Sequence, residues 1–216
     1  PHIGTDNLIV TIANMREHII SLGGEFLFET KLIDFELENN SLKKVICKEL
    51  NTNEIKEFET DSAVFAIGHS ARDTFSMLYD KKIGMTSKPF AVGVRIQHPQ
   101  EVINRNQYGD NYYEKLPPAN YKLTYKASNG RGVYSFCMCP GGHIVPAGSA
   151  ENSCVVNGMS ASHRNSPFAN SGMVVEIRPE DLINMVQEFR GSEVQELKLK
   201  GLAFQQYLEH LAYKHG

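Results

Sequence analysis

No stretch of this 216-residue chain approaches the roughly 18 uninterrupted apolar residues that a membrane-spanning helix needs. Its first residues also lack the basic, then apolar, then small-residue order of a secretory signal. A soluble cytoplasmic protein is therefore expected. Cysteine is scarce: Cys47, Cys137, Cys139 and Cys154 are too few for a disulfide scaffold at this length, so free thiols are expected. Neither sign of charge dominates, and 22 basic against 25 acidic residues give a formal net charge of −3 with no long run of either. That excludes the basic footprint of a nucleic-acid binder. There is no His-Glu-x-x-His cluster, no Gly-x-Ser-x-Gly elbow and no Gly-x-x-x-x-Gly-Lys loop, which removes the common metallohydrolase, serine hydrolase and nucleotide-triphosphatase readings.

What is present reads as a globular chain able to bury a core, 41% hydrophobic and 22% charged, long enough for one large domain or two smaller ones. Leu8, Ile12, Met15, Ile19 and Leu22 recur at helical spacing, with Thr5, Asp6 and Asn7 available as caps and Gly23-Gly24 as the stop. Residues 25–28, 32–37, 42–50 and 55–58 read as short antiparallel strands between turn formers such as Asn39-Asn40. The run Ala63-Val64-Phe65-Ala66-Ile67 reads as a strand buried on both faces, turning through Gly68-His69-Ser70 into a helix over residues 71–79. Beyond Lys88-Pro89, the best boundary, strands are predicted over 92–96, 121–126, 133–138, 143–147, 155–158 and 173–177, then helices over 181–189 and 201–215. The fold class expected is α/β joined to a β-rich α+β domain. Pro1 in place of an initiator methionine and a helical pattern running to Gly216 are expected of a piece of a longer protein.

Two stretches carry chemistry. A buried strand that ends in Gly68 and opens a helix would leave backbone N–H groups unpaired at a positive helix end, a setting for a phosphate or ribose. The same turn would serve equally as an ordinary connection with Ser70 as N-cap. In Cys137-Met138-Cys139-Pro140-Gly141-Gly142, strand alternation puts the two thiols on one face. Redox or metal chemistry is one reading; small apolar fillers are the other, since one intervening residue matches neither the usual zinc spacing nor the redox motif. Gly141 and Gly142 would let a flat ligand approach the backbone. His69, His98, His143 and His163 are candidate acids or bases, and Arg72, Arg95 and Arg105 candidate anion clamps; surface pairing is the alternative for each.

In order along the chain, Pro1-His2-Ile3-Gly4-Thr5-Asp6, Ala66-Ile67-Gly68-His69-Ser70-Ala71-Arg72-Asp73-Thr74-Phe75, Lys88-Pro89-Phe90-Ala91-Val92-Gly93-Val94-Arg95-Ile96, His98-Pro99-Gln100, Gln107-Tyr108-Gly109, the Cys137 to Gly142 run and Asn157-Gly158-Met159-Ser160 resemble the bacterial family of uncharacterised FAD-dependent dehydrogenases, over nearly the whole chain. The resemblance implies a glutathione-reductase-like FAD domain interrupted by a β-rich substrate domain: residues 1–88 as the middle of the FAD domain, 89–190 as the substrate domain, and 191–216 as a helix returning toward the FAD domain. It implies FAD bound by the parent protein, with Gly68, His69, Ser70, Arg72, Gly141 and Gly142 on the cofactor side and no metal. Catalytic residues stay unassigned. The Gly-x-Gly-x-x-Gly loop and the closing flavin segment would lie outside these residues, so little or no FAD is expected on this chain alone, and little activity. The implied partners are a small-molecule substrate and the remainder of the FAD domain; the other reading is a binding module without chemistry of its own. Two positions depart from the family pattern: Gln97, where an acid usually precedes His-Pro-Gln, and Ala150-Glu151, where the usual serine-glutamate order is altered.

Overall fold

The structure, a computed structural model, describes residues 2–111, 115–182 and 199–216. It is a mixed fold of helices and antiparallel sheets, as expected. Two compact units divide the chain: Pro1–Glu17 with Ser87–Gly216, and His18–Thr86. Helix α1 (Thr5–Ser21) forms where its periodicity predicts. Gly23, at φ 90, ends it: the Gly24 amide returns to Ile19 and the Gly23 amide to Ile20, closing the last turn as a left-handed cap residue does. Its apolar stripe is left uncovered by the described residues. No residue of α1 is buried, and Ile9 is 76% exposed. No helix among the described residues is long and apolar enough to cross a membrane.

In the unit His18–Thr86, strands β1 (Thr30–Glu38), β2 (Ser41–Glu49) and β3 (Ile55–Glu59) form an antiparallel meander in that order. Asn39 and Asn40 both take left-handed backbone, at φ 50 and 66, which is what a two-residue hairpin turn requires. Helix α2 (Arg72–Asp80) is tied to β1 at both ends: Lys31 meets Asp73 at 2.5 Å, and Lys81 meets Asp34 at 2.5 Å. The Lys81 ammonium also donates to the Phe35 carbonyl at 2.6 Å and lies 4.9 Å above the buried Phe35 ring. An acid at the helix start and a base at its end complement the helix dipole, and the two lysines hold the carboxyls of Asp73 and Asp34 below the usual range.

Three expectations in this unit fail. Residues 25–28 form no strand. Residues 63–67 form none either, and Val64 is 93% exposed, Phe65 and Ile67 each 42%. A strand buried on both faces needs neighbours at its edges and helices over its faces, and no described element supplies them. The helix beyond Gly68 is present, but its N-cap position is Ala71, with no side-chain cap, so Ser70 does not cap it.

The other unit is built on a four-stranded antiparallel sheet ordered β4-β9-β6-β5, from β4 (Phe90–Pro99), β5 (Thr124–Lys126), β6 (Gly132–Cys139) and β9 (Phe168–Ile177). Strands β7 (Gly142–Pro146) and β8 (Val156–Ser160) form a separate pair. At one end of the sheet, Phe204 of α4 (Lys200–His215) packs with Ile177 and Leu182 against Phe90, Val92 and Val175. Helix α3 (Gln100–Tyr108) was not predicted. Its signals were short-range: a Glu101–Arg105 pair at 2.8 Å and Gly109 at φ 78 as the stop. Of the expected helix over 181–189, Asp181 and Leu182 are helical and the rest lies outside the described residues.

Arg131 grips the Asp181 carboxylate with both terminal nitrogens, and the Arg178 amide donates to it at 2.8 Å. The pairing pulls the Asp181 carboxyl from 3.8 to about 2. A depressed carboxyl stabilises the fold above its unfolded value and loses that contribution as pH falls toward the folded one. Between pH 4 and 2 the wild-type chain should therefore lose stability more steeply than Asp181→Asn, as read by urea unfolding at each pH; parallel curves would deny the pair this role.

Candidate functional site

The turn Pro140-Gly141-Gly142, between β6 and β7, is buried. Gly141, at φ 53, sends its amide to the side-chain oxygen of Gln100 at 2.7 Å, and a Cβ there would stand 1.8 Å from the Arg164 carbonyl. At Gly142 a Cβ would meet the Met159 carbonyl at 2.4 Å. The close approach these glycines permit is thus made by the chain's own backbone. Gln100, 5% exposed, also donates to Asn104 at 2.8 Å and to the Ala119 carbonyl at 2.9 Å. Ser160 donates to the Pro140 carbonyl at 2.9 Å.

Onto the far side of this turn docks the chain's first segment. Thr5 donates to the Ser160 carbonyl at 2.9 Å, His2 Nε2 lies 3.0 Å from the Ala161 carbonyl, and the Ser162 amide and hydroxyl each donate to Asp6 at 2.7 Å. Those two bonds keep the Asp6 carboxyl below its ordinary range. Gly4 is needed because a Cβ would stand 2.3 Å from the Ser162 amide nitrogen. Thr5 and Asp6, read as caps from sequence, bind this loop instead.

Beside the turn, Arg95 of β4 reaches across β9. Its Nη1 donates to Asn170 Oδ1 at 2.7 Å and to the Cys137 carbonyl at 3.1 Å, and the Cys139 thiol donates to that same carbonyl at 3.3 Å. Asn170 is wholly buried, and its amide nitrogen has no partner among the described residues. Gly158 leaves room for the pair: a Cβ would lie 2.3 Å from both Arg95 Nη1 and Asn170 Oδ1. Strand alternation does not hold across Cys137 and Cys139. A bulge lies between Phe136 and Cys139, Cys137 adopts φ 44, and its side chain is exposed while Cys139 is half-buried, so Cys137 is no core filler. All four cysteines are free, and no group of three or more metal-ligating side chains occurs among the described residues.

The remaining candidates divide. His98 is half-buried with its ring 5.5 Å from that of Tyr121; burial pushes the imidazole down toward the neutral form and the Tyr121 phenol up. His69 and His143 are exposed. Arg105 pairs with Glu101 on the surface of α3. Gly68 (φ 69), His69, Ser70 and Arg72 adjoin the start of α2, where nothing stands within 4 Å of a Cβ on Gly68. They belong to the unit His18–Thr86, and Gly141 and Gly142 to the other. Sequence reasoning named Arg95 but missed Gln100, Asn170 and Gly158 as site-forming residues. The signal for Asn170 was a polar pair, Asn170-Ser171, between Phe168-Ala169 and the apolar run Met173-Val174-Val175.

Replacing Gln100 by Leu should lower stability by about 2–5 kcal/mol, because the Gly141 amide and Ala119 carbonyl would be left buried and unpaired. Hydrogen exchange checks the cause. The Gly141 amide should lose protection selectively, and unchanged protection there would show that Gln100 does not hold the turn.

Residues 89–216 match the family described as FAD-dependent protein, C-terminal domain-like. An uncharacterised protein of Clostridium beijerinckii is 45% identical over 217 residues, covering 100% of this chain, and the chain spans 38% of that relative's length. Four of the segments that carry the sequence resemblance, contributing His2 to Asp6, Gln100, Cys137 to Gly142 and Gly158 to Ser160, meet in one hydrogen-bonded cluster, most of it inside the matched region. The chain belongs to the family of FAD-dependent proteins with this C-terminal domain.

Proposed function

We propose that this chain is part of a flavin-dependent oxidoreductase of the dehydrogenase type, which passes a hydride between FAD and a small-molecule substrate. The observation that carries the reading is the family match over the unit that contains the Gln100–Gly141 cluster. The start of α2 in the other unit suits the phosphate or ribose of a dinucleotide: Gly68 stands open to a close approach, the helix begins at Ala71 without a side-chain cap, and its positive end favours an anion. Gly68, His69, Ser70 and Arg72 would then hold the phosphate or ribose, and bound FAD would accept and return the hydride. In the larger unit, Gly141 and Gly142 fix the turn after Cys139, and Arg95, itself held by Asn170, keeps the Cys137 carbonyl inward, which would give a small-molecule substrate a rigid surface. Exposed apolar side chains on α1 and at Val64, Phe65 and Ile67 are the surfaces that the rest of the FAD domain would cover. The same exposed surface also favours a second reading, a docking module of a larger flavoprotein without chemistry of its own.

A visible spectrum of the longer protein separates the two. A dehydrogenase should be yellow as purified and bleach when its substrate or dithionite is added; a colourless protein that takes up no flavin would sink the oxidoreductase reading. The 216-residue chain by itself should bind FAD weakly, since part of a site must still meet the ordering cost of association, several kcal/mol or more. Saturable micromolar binding to this chain would move the cofactor site away from where it is proposed.

A further inference from the structure

A groove of about 590 Å³ opens beside the cluster, lined by His2, Pro117, Pro118, Ser162, His163 and Arg164. Its polar lining is one-sided. Arg164 and two histidines face it, and no carboxylate does among the described lining residues. The nearest acid of the cluster, Asp6, is occupied by the amide and hydroxyl of Ser162, which leaves Ser162 no donor to offer and keeps Asp6 turned to that bond pair. His2 gives its Nε2 to the Ala161 carbonyl, leaving Nδ1 as the ring's remaining polar atom. The Arg164 guanidinium has no hydrogen bond or ion pair among the described residues, and its Nε is buried without an acceptor. A donor buried without an acceptor is destabilising unless a ligand accepts from it.

The backbone supports the same conclusion. Arg164 adopts φ 51, a left-handed conformation unfavourable for a non-glycine residue, and its amide closes a turn on the Ala161 carbonyl at 3.1 Å. Its carbonyl is the atom wedged against Gly141. The strained arginine is thus anchored on both sides of its Cα, and its guanidinium is committed to nothing in the protein. Three cationic or cation-capable groups drawn from two separate segments, walled by two prolines that lack N–H donors, surround a volume larger than one carboxylate fork needs. That arrangement suits an anion with several oxygens and more than one charge.

We propose that the His2–His163–Arg164 groove is a binding site for a phosphate-type oxyanion carried by a small ligand. The site does not depend on the flavin reading. The phosphate has two possible bearers, a phosphorylated small molecule or the cofactor's own pyrophosphate, and both present the same chemistry to the groove.

The test is amide and histidine side-chain NMR of the 216-residue chain titrated with inorganic phosphate, then with pyrophosphate and FAD, each against sodium chloride at matched ionic strength. Phosphate should give saturable shifts confined to residues 2–6 and 161–164, and Arg164→Gln should weaken it about tenfold or more, as loss of a charge-assisted hydrogen bond implies. His163→Gln, at an exposed position, should also weaken it, and serves if Arg164→Gln disturbs the turn. Tighter FAD or pyrophosphate binding with shifts at these same residues would assign the group to the cofactor; tighter inorganic phosphate would assign it to a separate ligand. Shifts no larger than chloride gives, shifts centred on residues 68–72 alone, or wild-type affinity in both variants would overturn the site.

Discussion

The backbone contact between Gly141 and Arg164 governs the arrangement of the larger unit's polar end. With the Arg164 carbonyl standing 1.8 Å from where a Cβ would be, no residue but glycine leaves both segments in place. Displacing the loop of residues 161–164 would release Ser162 from Asp6 and Ala161 from His2, while displacing the turn would release Gly141 from Gln100. Each of those bonds joins residues far apart in the chain. The contact therefore couples the start of α1, the start of α3, the end of β6 and the β7–β8 pair, and rigidity at one of them depends on the others.

Next to it, the Arg95–Asn170 pair controls the bulge in β6. A carbonyl at a bulge is freed from the ladder and needs a donor; Arg95 and the Cys139 thiol supply two to Cys137. Cys137 can then hold φ 44 with its side chain outward. Gly158 on β8 makes room for the guanidinium, so a backbone position on one sheet and a side-chain pair on another are chosen together. The geometry of the turn is thus set by bonds directed inward.

Much of the architecture was legible because its signals are local. The Asn39-Asn40 hairpin, the six strands beyond residue 88 and the stop at Gly23 all follow from backbone preferences and alternation within a few residues. The site was less so. Gly141 and Gly142 stood out as glycines, but what occupies their missing side-chain space is Arg164 and Met159, distant in sequence. Gln100 and Asn170 are polar residues with no local reason to be buried; their partners come from three other segments. The single-face reading of Cys137 and Cys139 failed because alternation assumes an unbroken ladder, and the bulge is not encoded in the two cysteines.

Helix α1 and residues 63–67 show the same limit from opposite sides. Both carry an apolar pattern and both are exposed, yet the first is helical and the second has no regular structure. A helix completes nearly all its backbone hydrogen bonds within itself, so a capped periodic sequence adopts the conformation whether or not its stripe is covered. A strand completes none alone; its donors and acceptors need a neighbouring strand before its apolar faces can be buried. Hydrophobic pattern therefore specifies conformation for α1 and only an appetite for burial at Val64, Phe65 and Ile67. The conformation of that run is decided by whichever strands flank it, and none of the described elements does.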